Sequence, residues 1–352
     1  MKKPYWKRAW FLLYVAVLLW LCAEIALAYP ENIRLGYPSC ASCHVSPTGG
    51  GALTSYGRST SEELATWSEE GWGRVFGAIP TPEWFAVGGD TRHVTVKAPG
   101  YSRSFYMQDD VELAVSPVPG LWVAGSIGLY GEEQRRELRR HYVMVEPLEG
   151  LRLRLGRFMP AYGLMLPDHT VATRGTLGWQ QGRETYNAEA SYTHKRGELF
   201  VTTVVDSSEA WSADEQGYKV RATETGATVR AAAYVGDRAQ VGASYWFGSD
   251  VEHDWLAVGA FGSWGVTRNL YLLGELDQRN SPAEKPLTVS YTQLGYELWR
   301  GVHLRSSHEY TGTDSRWGAG LQLFPIPHWE ILFTSKYSSS LWSHTLLLHV
   351  NI

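Results

Sequence analysis

Leu151-Arg152-Leu153-Arg154-Leu155 sets leucine and arginine on alternate residues. In a strand successive side chains point to opposite faces, so this stretch has one apolar and one basic face. The same period-two pattern recurs from about Trp84 onward. Trp329, Ile331 and Phe333 alternate with Glu330, Leu332 and Thr334, and Leu346, Leu348, Val350 and Ile352 make a last apolar face. A soluble sandwich also alternates, so the connections decide between architectures. Short connections fall at residues 117–120, 147–150, 194–197, 236–238, 267–269, 300–301 and 325–327. Longer, polar ones fall near 98–103, 132–137, 159–183, 207–216, 249–254, 280–286 and 311–315, with a tight one at 338–340.

Short turns at one end, longer loops at the other and an even strand count are the pattern of an outer-membrane antiparallel β-barrel. The count predicts an all-β chain of about 16 strands, with both ends of the barrel on the periplasmic side. Trp122, Trp246, Trp255, Trp264, Trp299, Trp329 and Trp342 lie near predicted strand ends, where aromatic girdles sit. The composition agrees. Of 352 residues, 19% are charged, against roughly 25% in soluble domains. Mean hydropathy is -0.24, and no apolar run of about 18 residues follows residue 28, which excludes a bundle of membrane helices. A net charge of -4 gives no argument for a nucleic-acid partner.

The first 28 residues read as a secretory signal peptide. Lys2, Lys3, Lys7 and Arg8 precede an apolar core, Trp10 to Cys22, and Ala26-Leu27-Ala28 offers a cleavage site. Glu24 and the short core argue against an uncleaved anchor, and Leu21 against a lipid-anchored Cys22. Cleavage leaves 28 basic and 35 acidic residues, a charge of -7.

Cys40-Ala41-Ser42-Cys43-His44 follows the signal. C-x-x-C-H is the attachment pattern of c-type haem: two thioethers from Cys40 and Cys43, and His44 as the proximal iron ligand. A disulfide between the two cysteines is one alternative, and a zinc site, which would need two further ligands, is another. Residues 29–82 are few for a complete cytochrome, so the barrel, residues 83–352, is expected to shield this segment. Gly49, Gly50 and Gly51 suit a close approach of backbone to a porphyrin, or a flexible loop. Ser59 and Glu62 form a capping-box pattern that predicts a helix over residues 60–68. Arg58 is read as a solvated residue, with a haem propionate as the alternative partner.

A barrel this wide encloses an aqueous lumen. Residues 159–183 are the longest loop, and their first half is apolar. They are expected to fold inward; an external adhesive loop or partner contact is the alternative. Since residues 29–82 hold no Met and one His, a sixth haem ligand from the protein must come from the barrel region. Met159, Met165 and His169, in the apolar loop, are the candidates. The alternative is a backbone-bonded His169, with water or a lysine on the iron. Arg152, Arg154 and Arg305 are expected to face the lumen, either to favour anions or to balance acids such as Glu275, Asp277 and Glu309.

A signal peptide, one C-x-x-C-H segment and a porin-type barrel together resemble the fused monohaem cytochrome–porin proteins of bacterial outer membranes. Cys40, Cys43 and His44 are the residues that match. The resemblance implies one haem c, electron transfer between an extracellular or lumen-entering donor or acceptor and a periplasmic electron-transfer protein, and a barrel wall against outer-membrane lipid. In the iron-oxidising members that donor is ferrous iron, which would make the chain an oxidase. The stretch Ser46-Pro47-Thr48-Gly49-Gly50-Gly51 and the shorter barrel depart from those members, so the iron substrate does not carry over. The alternative is a porin-type transport channel with a haem-bearing or disulfide-closed N-terminal plug.

Overall fold

A computed structural model describes residues 30–67, 81–130, 135–179, 184–206, 225–249, 254–282 and 284–351. The signal peptide and the loop at 207–216 lie outside the described residues, as do parts of the loops near 132, 181 and 251. The strands are β1 (Phe85–Ala98), β2 (Tyr101–Val118), β3 (Leu121–Tyr130), β4 (Arg135–Glu137), β5 (His141–Leu148), β6 (Leu151–Phe158), β7 (Thr185–His194), β8 (Gly197–Asp206), β9 (Thr225–Tyr234), β10 (Ala239–Ser249), β11 (Asp254–Gly265), β12 (Leu270–Ser281), β13 (Glu284–Trp299), β14 (Val302–Tyr310), β15 (Ser315–Leu323), β16 (Trp329–Ser338) and β17 (Leu341–Asn351).

These strands form one antiparallel sheet that closes on itself through β1 and β17, with Asp90 opposite Asn351. β4 and β5 both pair with β3 and are two halves of one stave, parted at residues 138–140. The described residues therefore give sixteen staves, the number read from the sequence. Closure leaves no free edge, which a sheet needs if its outer face is to meet lipid. The faces are sorted accordingly. In β2, Gln108, Asp110, Glu112 and Ala114 turn inward, while Val111 and Leu113 stand exposed outside. No helix among the described residues is long and apolar enough to cross a membrane.

Three expectations are corrected. Of the connections read as long, that near residues 280–286 is short, with Ser281 at the end of β12 paired to Glu284 at the start of β13, and that near residues 98–103 is a two-residue turn, Pro99-Gly100, with Gly100 at φ +74°. Proline followed by a residue with positive φ suits a type II turn. Second, the aromatic girdle is partial. Trp264, Trp299 and Trp342 are exposed on the outside, but Trp246 is only 1% exposed and lies in the lumen with Trp255 packed on it. Strand parity explains this: on β10 the outward positions next to Trp246 are Tyr245 and Phe247. Trp122 and Trp329 also turn toward interior groups. Third, the N-terminal helix, α1, spans Ser55–Leu64 rather than residues 60–68. Its cap is Thr54, whose hydroxyl accepts from Gly57 N at 3.0 Å. A threonine cap satisfies one of the free N–H groups of the first turn, and here it displaces the Ser59 cap.

Two inserts fill the lumen. Residues 30–67 enter at the end that carries the short turns. Arg34 pairs with Glu297 at 2.7 Å, and Thr66 N and Trp67 N donate to the Phe324 and Pro325 carbonyls at 2.8 and 3.0 Å. Val45 and Ala52 then pack on inward-facing Ala86, Ala114 and Ala124, small residues that leave room for a second layer. Residues 159–179 fold in from the other end and include a short helix, α2 (Ala172–Gly175). The loop is thus lumenal, as its apolar sequence predicts.

Candidate functional site

The chain reverses twice around the cysteine motif. Cys43 N and His44 N both donate to the Cys40 carbonyl, at 3.2 and 3.1 Å, and Val45 N donates to Ala52 O at 3.1 Å. Residues 45–52 thereby become a small hairpin whose tip is the glycine run. Gly49, Gly50 and Gly51 all have φ between +69° and +79°, a conformation that L side chains rarely adopt. A Cβ on Gly49 would sit 3.3 Å from Cys40 Sγ, and one on Gly51 would collide with the Glu112 carboxylate. The run is therefore a built tip, not a slack loop. Ala52 N donates to Glu112 Oε1 at 3.0 Å and fixes the hairpin to β2.

Between the two inserts lies a cavity with about 1710 Å³ of empty space, part of it open to solvent. Its floor carries Cys40, His44 and the three glycines. Its roof is the inserted loop, with Met159, Met165, His169 and Arg174. Its walls include Asp90, Arg92, Asp110, Glu112, Arg139, Arg140, Glu330 and His349. Thus four of the residues singled out in the sequence as ligands, His44, Met159, Met165 and His169, open onto one chamber together with Cys40. Cys43 does not line it. That side chain is fully buried against Leu53 and Tyr37, with the Thr60 hydroxyl beside its thiol. Both cysteines are free thiols, and burial pushes each up to about 12. Among the described residues no group of three or more His, Cys, Asp and Glu side chains is placed to hold a metal ion, so the zinc alternative lacks a ligand set.

The chamber gathers nitrogen and sulfur donors, Cys40, His44, Met159, Met165 and His169, among both acidic and basic walls. The half-buried His44 ring has its Nδ1 buried without a hydrogen-bond partner. Burial, and then Arg140, push its pKa down to about 4, so the ring is a neutral nitrogen donor at ordinary pH. His169, on the roof, is also held below its usual range by burial, against the pull of Asp168. Asp168 itself is occupied by Thr170, accepting from its N at 2.8 Å and its hydroxyl at 2.6 Å. Met165 adopts φ +54°, rare for a side chain of this size, and so presents itself to the chamber from a strained position.

The loop is held by the acids that sequence reading paired with arginines. Leu164 N and the Thr173 hydroxyl donate to Glu275 Oε2 at 3.2 and 3.3 Å, Tyr162 to Asp277 at 3.1 Å, and Ala172 N to Glu309 at 2.9 Å. Arg152, Arg154 and Arg305 do face inward, as expected, but their partners are other groups. Arg154 pairs with Glu189 at 2.8 Å, Arg152 with Glu146 at 3.4 Å, and Arg305 bonds Gln293. Arg58 is neither solvated nor at the chamber; it is buried, and it donates to the Thr81 hydroxyl. Sequence reasoning missed His328 and His349. His349 lies between Glu330, at 2.8 Å, and Asp90, at 3.3 Å, and both histidines line the chamber. Each sits at the turn end of the barrel, and nothing in the local pattern marks that end as cavity wall.

No protein-family model matches the chain, and no curated protein matches it either. The likeness to solved structures is in the barrel. OmpT of Vibrio cholerae, in its trimer form, superposes with a TM-score of 0.58 at 10% identity, over 76% of this chain and 99% of that one. OmpF of Salmonella typhi, solved with daunomycin, gives 0.53 at 10%, over 76% and 97%. A variant of the Rh. blastica porin gives 0.53 at 9%, over 76% and 100%. At these identities the likeness shows the fold alone: a porin-like antiparallel β-barrel.

Proposed function

We propose that the chain is a porin-type barrel of the outer membrane whose N-terminal plug carries one haem c, and that this haem exchanges electrons across the plugged lumen. The observation that carries the reading is the shared chamber, with Cys40 and His44 on its floor opposite Met159, Met165 and His169 on its roof. When bound, haem supplies a one-electron redox centre. The chain's own residues then do the rest. Cys40 and Cys43 tether the group, and Cys43 must first turn its sulfur away from Thr60. His44 would offer a neutral nitrogen, and His169, Met165 or Met159 would offer a second donor from the same chamber. The glycine tip lets backbone approach closely. The buried loop limits the flow of water and solutes, so that electron exchange replaces bulk permeation. One redox centre does not span a core of roughly 30 Å, so a small donor or acceptor enters from the loop end, and a periplasmic electron-transfer protein docks at the turn end.

A second reading is a solute channel in which the plug, with or without haem, serves as a gate. The porin-like fold favours it, because the fold alone speaks for permeation and not for redox chemistry. A pyridine haemochrome spectrum of the purified protein tests the haem, with a c-type spectrum expected. Sealed vesicles loaded with a reduced cytochrome test the function. Reoxidation by an external acceptor supports electron exchange, whereas solute flux without it supports the channel.

A further inference from the structure

Most buried arginines of the lumen have a carboxylate in direct contact: Arg140 has Glu112 at 3.0 Å, Arg154 has Glu189 at 2.8 Å, and Arg230 has Glu198 at 2.5 Å. Arg139 and Arg174 have no carboxylate within hydrogen-bond distance among the described residues. Arg139 comes from the gap between β4 and β5. Its guanidinium lies 3.6 Å over the Tyr130 ring and 3.7 Å from the Glu137 carboxylate, beyond hydrogen-bond reach. Arg174 closes α2, and its Nη1 donates to the Tyr162 carbonyl at a long 3.5 Å. Both side chains belong to residues more than nine-tenths buried, both Nε atoms are buried without a hydrogen-bond partner, and both residues line the chamber. Arg92 lines it too, held by Asp90 at 2.8 Å. Arg92, Arg139, Arg174 and His169 thus all line the same cavity.

A guanidinium taken from water with its N–H fork unmatched is costly, and planar carboxylates match that fork. We propose that Arg139 and Arg174, with Arg92 beside them, form an anion site that takes a pair of carboxylates. Two sources share that chemistry. The two propionates of a haem tethered at Cys40 would offer such a pair within the same chamber. A small polycarboxylate entering from the loop end offers the same groups. The first source rests on the haem reading; the second does not.

The test compares full-length wild type with Arg139→Gln/Arg174→Gln and Arg139→Lys/Arg174→Lys, with heat-modifiable migration as the check of barrel folding. If propionates fill the site, the Gln pair keeps its covalent haem. Loss of positive charge beside the iron then lowers the midpoint potential by about tenfold in the reduction equilibrium, or 59 mV, and the Lys pair restores most of it. If a free carboxylate fills it, the potential stays put. Citrate, used as the probe in calorimetry on Cys40→Ala/Cys43→Ala protein, then binds and loses at least tenfold in affinity when the Gln pair is added. An unmoved potential together with citrate binding that is absent or indifferent to the Gln pair overturns the site. A wild type without haem by pyridine haemochrome removes the haem reading, and the citrate arm alone then decides the anion site. Should the double Gln variant fail to fold, Arg139→Gln and Arg174→Gln singly carry the same readouts at smaller size.

Discussion

The two lumenal inserts are held by different forces. The loop at residues 159–179 is packed like a protein core. Tyr162 stacks on Trp179 at 5.1 Å, Trp179 lies 4.2 Å from Trp246, and Leu164, Leu166 and Val171 bury against Phe261, Tyr271, Leu273 and Tyr291. The N-terminal segment is held mainly at its ends, by Arg34, Thr66 and Trp67, and at its middle by Ala52 on Glu112. Its apolar contact is made by small residues on its own side: Val45 and Ala52 meet Ala86, Ala114 and Ala124 together with Tyr142, Met144 and Phe158, and Arg154 adds a hydrogen bond to Ser46 at 3.0 Å. One insert is part of the barrel's interior. The other is a seated part that leaves a large cavity beside it, which is the arrangement expected of a segment built to hold something.

The contrast is sharpened first by the cysteines. Cys40→Ala/Cys43→Ala is expected to abolish covalent haem completely while leaving the barrel inserted, because the sheet closes its own hydrogen bonds. Altered heat-modifiable migration of the double variant on gels would show that barrel and plug are not separable. Next come the packing energies. Trp179→Ala should cost about 3–5 kcal/mol, as for other buried aromatic truncations. Val45→Ala, two methylene equivalents, should cost roughly 1.5 kcal/mol. Urea unfolding midpoints in detergent give both values, and equal costs would erase the difference drawn between the inserts.

A smaller effect tests the contact across the chamber. With His169 as the iron's second protein ligand, His169→Ala turns a low-spin haem spectrum high-spin and lets carbon monoxide bind. A wild-type spectrum that is already high-spin, or one unchanged by the substitution, assigns that role elsewhere. The smallest expected effect is none at all. A tag placed after Ile352 should survive protease on whole cells, because both barrel ends lie with the short turns that face the periplasm. Cleavage without lysis inverts the molecule and puts the plug outside.

The barrel was legible because its signals are repetitive. Alternation such as Leu151 to Leu155, and the alternating lengths of connections, recur in most hairpins, so the misread connections near residues 98 and 280 did not disturb the count. The girdle was less legible, because which face a tryptophan meets depends on parity at a single residue, as Trp246 shows. The floor and roof of the chamber were found from chemistry: Cys40 and His44 by spacing, and Met159, Met165 and His169 by an apolar loop where water was expected. The walls were not found. Arg139, Asp90 and His349 converge from strands distant in sequence, and only closure of β1 on β17 and the break between β4 and β5 bring them together.

That closure also orders events in time. The first strand completes its pairing only when the last one arrives, and residues 30–67, which precede the first strand, end up walled in by the finished cylinder. Under the proposed function, a group joined to Cys40 would lie inside that cylinder, in the chamber between the two inserts. The order of joining and closure would then matter: an enzyme that joins a cofactor to that thiol would meet an open chain before the first and last strands pair, and a walled one afterwards.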